Sequence, residues 1–83
     1  MDSHVIRSVF QNWARSKRAK ELTSARTQFM VRVLDNVCPG WRGRQSWIAV
    51  RALRDLKCPT MLAWTFVEAE ANQGRMYAPR KKK

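Results

Sequence analysis

Apolar positions recur at helical spacing along most of the chain. Ile6, Val9, Phe10 and Trp13 fall at i, i+3, i+4 and i+7, which predicts an amphipathic helix over about 3–19, capped by Asp2 or Ser3. Its opposite face carries Arg7, Gln11, Arg15 and Arg18, while Lys17 and Lys20 fall where the apolar stripe would continue. The apolar face therefore leaves the core near residue 16, and the helix is expected to end in a basic knob, Arg15 to Lys20. Thr23 or Ser24 opens a second helix, about 24–37, with Phe29, Met30, Val33, Leu34 and Val37 inward and Gln28, Arg32 and Asp35 outward. Cys38-Pro39-Gly40 ends it, because proline cannot extend the hydrogen-bond ladder.

A third helix is expected over about 46–57. Its core face is Ile48, Ala49, Ala52, Leu53 and Leu56, and its outer face holds Trp47, Arg51 and Arg54. Cys58-Pro59 closes it, and a fourth segment, about 60–73, runs from Thr60 to the stop at Gly74. In that last segment Met61, Leu62, Trp64, Phe66, Val67, Ala69 and Ala71 surround the whole cylinder, which predicts a helix central in its bundle or shared between two copies of the chain. No period-two alternation competes. The pattern is all-α: a small bundle of three to four short helices.

Composition adds a strong charge. The 83 residues hold 17 Lys+Arg against 6 Asp+Glu, a formal +11. Residues 1–74 read as a single helical domain with net +6, and 75–83 as a flexible basic C-terminal tail ending in Lys81, Lys82 and Lys83. At 45% hydrophobic, with four Trp, the chain is not a disordered basic segment. No apolar run approaches the ~18 residues of a membrane span, and the N-terminus lacks a signal-peptide pattern, so a cytoplasmic or nuclear location is expected. The charge selects for phosphate polymers, acidic proteins or anionic membrane surfaces as partners.

Two clusters carry candidate chemistry. The first is Trp41, Arg42, Arg44, Trp47, Arg51 and Arg54, from a loop and the outer face of the helix after it. Arginine donates paired hydrogen bonds to phosphate, and tryptophan offers a face on which a base can stack. The second is the stripe Arg7, Arg15 and Arg18 with Lys17 and Lys20, long enough to follow a phosphate backbone. Helix-turn-helix reading by the fourth segment is not expected, because that segment is apolar and acidic (Glu68, Glu70) where base contacts need Arg, Lys, Asn or Gln.

Enzymatic chemistry finds no support: His4 is solitary, Glu68 and Glu70 lie on different helix faces, and there is no glycine-rich phosphate loop. No cofactor or metal is expected, since His4, Cys38 and Cys58 do not supply a paired ligand set. The two cysteines, 20 residues apart, read as free thiols with a disulfide as the alternative. The expected function is a small nucleic-acid-binding protein, for DNA or RNA, that recognises backbone and shape. The alternative is an inhibitor or adaptor of viral, phage or mobile-element type, binding a host protein through its Arg/Trp surface. A third reading is a membrane-surface helix formed by the basic first segment.

Overall fold

The computed structural model describes residues 2–77. The described residues form four α-helices: α1 (Ser3–Arg15), α2 (Ser24–Val37), α3 (Ser46–Asp55) and α4 (Thr60–Asn72), with a 3-10 turn over Trp41–Gly43. They contain no strand. The all-helical expectation holds.

The helix ends are set by local chemistry. Asp2 caps α1 through its side chain to the His4 N–H, and Thr23 caps α2 through its hydroxyl to the Arg26 N–H. α1 stops at Arg15, four residues before the expected end. The Ser16 hydroxyl accepts the Arg18 N–H at 3.0 Å, a local bond that competes with the helical ladder. The Arg26 guanidinium then donates to the carbonyls of Arg18 and Glu21 at 2.7 and 2.8 Å. Residues 16–20 are thus a clamped turn, not the last turn of a helix.

α3 and α4 end in the same way, each slightly earlier than the spacing predicts. Lys57 N–H bonds Arg54 O and Cys58 N–H bonds Leu53 O; Gly74 N–H bonds Ala71 O and Arg75 N–H bonds Glu70 O. Both are Schellman motifs, whose left-handed residue falls on Gly74 (φ 76°) in α4 but on Lys57 (φ 79°) in α3. A side chain at that conformation costs about 1 kcal/mol relative to glycine.

The core joins Ile6 and Phe10 of α1, Met30, Val33 and Leu34 of α2, Ala49, Val50 and Leu53 of α3, and Leu62, Ala63, Phe66 and Val67 of α4. Val50 replaces the expected Ile48, which is only half-buried, and Val37 is exposed. α1 is joined to α2 by edge-to-face contacts among Phe10, Trp13 and Phe29, with centroids 5.1–5.6 Å apart. α4 contributes Leu62, Ala63, Phe66 and Val67 to the core, while Met61 is 57% and Trp64 39% exposed, so within one chain its apolar cylinder is covered on part of its circumference. The folded chain also runs past the expected boundary after Gly74, since Met76 is buried and Tyr77 N–H donates to Arg42 O at 2.7 Å.

Candidate nucleic-acid interface

Along α3, Trp47, Val50, Arg51, Arg54 and Asp55 sit at i, i+3, i+4, i+7 and i+8, a single helical face. That face turns toward α4, and with Trp64 it lines an open cleft of about 390 Å³. Val50, nearly buried, belongs to the core beneath. Trp47 is 51% exposed, and its indole N–H donates to Gln45 Oε1 at 2.7 Å, which fixes the ring at the start of the helix. Among the described residues, Arg51 and Arg54 have no acidic side chain within 4.0 Å, so their charge is not neutralised internally.

The expected Arg/Trp cluster is therefore split. Trp47, Arg51 and Arg54 come together, with Arg44 exposed on the loop before them. Trp41 departs: it is 1% exposed, packed on Phe66 at 5.6 Å, with its indole N–H on Asp35 Oδ1 at 2.9 Å. No base can stack on a ring in that position. Arg42 departs with it. Its guanidinium lies 4.3 Å from the Trp41 ring centroid and donates to Glu70 Oε1 at 2.7 Å. Its charge is used inside the fold.

The basic knob is retained as a surface, though in a turn. Lys17, Arg18 and Lys20 are exposed around a shallow groove of about 490 Å³, and Arg18 is paired with Glu21. Arg7 and Arg15 are exposed on α1. The remaining candidates, Lys81, Lys82 and Lys83, lie outside the described residues.

Sequence spacing missed Trp64 and Asp55 as members of the cleft, and it missed the role of Glu70. Glu70 is buried and holds two arginines: Arg42, and Arg75, whose Nε and Nη2 reach the two carboxylate oxygens at 3.1 and 2.9 Å. The hydrogen bonds from Arg75 hold the Glu70 carboxyl below its ordinary pKa; burial opposes them, and Arg42 adds to the lowering. The same bonds raise Arg75 above its ordinary value.

A lowered folded pKa stabilises the fold above the ordinary glutamate value, ~4.3, and that contribution disappears as pH falls through the folded value. Glu70→Gln should therefore cost about 1–3 kcal/mol at pH 7, by giving the half-exposed guanidinium groups of Arg42 and Arg75 a neutral partner in place of the buried carboxylate. The deficit should shrink at pH 3, below the ordinary glutamate value, where the carboxyl of the unfolded chain is already protonated and the folded one is losing its advantage. Urea unfolding of both proteins at the two pH values checks this, and an equal deficit at both would refute it.

Cys58 is buried, and burial pushes its thiol up to about 12, so it is protonated and inert at neutral pH. Cys38 is half-buried and also free; the two form no disulfide. Among the described residues no three His, Cys, Asp or Glu side chains converge, and no helix is long and apolar enough to cross a membrane. No family model, curated protein or solved structure matches the chain.

Proposed function

We propose that the protein binds nucleic acid, taking phosphates on Arg44, Arg51 and Arg54 and on the basic surface of Arg7, Arg15, Lys17 and Lys20. The observation that carries this reading is the cleft itself: Arg51 and Arg54 unpaired among the described residues, beside the exposed indoles of Trp47 and Trp64. Unneutralised guanidinium groups next to accessible aromatic faces suit phosphate and base together. Sequence is not read through α4, whose two acidic side chains are an exposed Glu68 and a buried Glu70 already paired with arginines.

The test is a fluorescence-anisotropy titration with labelled DNA and RNA, single- and double-stranded, using the wild type and Arg51→Gln/Arg54→Gln. Each lost phosphate contact lowers the slope of log K against log[salt] by about one, so the double variant should bind more weakly and lose about two from the slope. Absence of binding to every strand at 50 mM salt, or a double variant indistinguishable from wild type, would refute the proposal.

A second reading is favoured by one observation: Trp47, Met61 and Trp64 remain exposed, 51%, 57% and 39%, and the two indoles share their cleft with Arg51 and Arg54. These residue types anchor protein interfaces. A partner captured by the full chain and retained after nuclease treatment would favour this reading; a partner released by nuclease favours nucleic acid.

A further inference from the structure

The cleft between α3 and α4 contains one group that a pure phosphate site would exclude. Asp55 lines it beside Arg51 and Arg54, yet among the described residues its carboxylate makes no ion pair with either and accepts no hydrogen bond. It is also the last residue of α3, where an acid faces the negative end of the helix dipole and destabilises the helix. An acid there serves neither its own helix nor a phosphate. It does serve a ligand that presents N–H donors.

The remaining lining restricts that ligand. Trp47 and Trp64 offer aromatic faces from two different helices, Val50 supplies an apolar contact, and the arginines supply positive charge. At about 390 Å³ the cleft lies within the ~300–1,000 Å³ typical of small-ligand sites. A base inside a duplex has both faces stacked and its Watson–Crick edge paired, so neither the indoles nor the carboxylate could reach it. A base splayed from a single strand presents both features at once. Among the bases, guanine places two adjacent N–H donors, N1–H and N2–H, on that edge, matching the two oxygens of a carboxylate.

We infer that this cleft seats one unpaired guanine of a single strand. The base stacks against Trp47 and Trp64, Asp55 accepts hydrogen bonds from its Watson–Crick edge, and Arg51 and Arg54 hold the neighbouring phosphates. This rests on the nucleic-acid reading above and adds strand and base preference to it.

The experiment compares three labelled probes against the full chain: an eleven-residue oligothymidine, the same strand with one central guanine, and a hairpin duplex. The proteins are wild type, Trp47→Ala, Trp64→Ala and Asp55→Asn, each checked by circular dichroism for a retained fold. All three replaced side chains are exposed, so the fold should survive their loss. Loss of one stacking contact is worth roughly 5- to 150-fold in affinity, so each Trp variant should weaken the guanine strand by that much and leave the hairpin nearly unchanged. The wild type should prefer the guanine strand over oligothymidine by about fivefold or more, and Asp55→Asn should abolish that preference.

Equal binding of hairpin and single strand with both Trp variants unaffected would overturn the inference while leaving the phosphate reading standing. Equal affinity for the two strands in wild type would overturn the guanine assignment. Absence of binding to all three probes would overturn the functional proposal itself.

Discussion

Raising salt from 50 to 200 mM should cut nucleic-acid affinity by two to three orders of magnitude. Each phosphate neutralised by Lys or Arg releases condensed counterions, and the release becomes less favourable as bulk salt rises. With about six phosphates engaged, the expected losses are roughly 300-fold for a single strand and roughly 2,000-fold for a duplex, because single strands carry fewer condensed ions. Six is within reach of the exposed cations on α1, the 16–20 turn and α3. Arg42, Arg75 and Arg18 should contribute little to the slope, since each already faces a carboxylate. A titration series across that range measures the slope directly. A flat response would mean that the uncompensated charge is not the binding determinant, and would transfer weight to the exposed indoles as a protein-binding surface.

Trp41→Ala should remove most of the stability of the domain. The ring is fully enclosed, lies against Phe66, and fixes Arg42 in position over its face. Truncating a buried tryptophan costs ~3–5 kcal/mol, through lost burial and the cavity that remains. A chain of this size has only about 4–12 kcal/mol in total, so the variant should be largely unfolded near its former midpoint in urea. Two further contacts fail with the ring: the hydrogen bond to Asp35, and the platform that aims Arg42 at Glu70. Trp41→Phe keeps a six-membered ring but loses the N–H and two ring carbons, so it should be milder, about 1–3 kcal/mol. Its affinity for nucleic acid should match wild type, because the ring is not on the surface. An unchanged urea midpoint in Trp41→Ala would show that this ring does not close the core.

The contrast between Trp41 and Trp47 shows what could be read from the residues alone. The helices were legible, because i, i+3, i+4 spacing is a direct projection of helix geometry onto sequence. Arg51, Arg54 and Trp47 were legible for the same reason, as one outward face. The fate of Trp41 was not: it lies in a loop, and its direction depends on the left-handed turn at Gly40 (φ 81°) and on an Asp35 carboxylate waiting in α2. Trp64 was hidden by the opposite problem. When apolar residues surround a helix, periodicity names no outward side, and the packing partner decides.

Glu70 illustrates a third cause. An isolated acid on an apolar helix reads as solvent-exposed, yet its partners lie 28 residues before it and 5 after it. The early end of α1 had a comparable origin, in Ser16 and in the reach of Arg26 back across the turn. Helical periodicity carries information about neighbours within one element and none about side-chain bonds across the fold.

The aromatic joint of Phe10, Trp13 and Phe29 has a dynamic consequence. α1 is attached by side chains along one edge and contributes only Ile6 and Phe10 to the buried interior, whereas α3 and α4 lean on each other along the stripe that also frames the cleft. Opening α1 uncovers Ile6, Phe10 and the surface they cover but leaves the contact between α3 and α4 in place, so faster amide exchange in α1 than in α3 and α4 is the expected result. The basic stripe of α1 and the indole cleft of α3 and α4 thus sit on parts of the fold that need not open together.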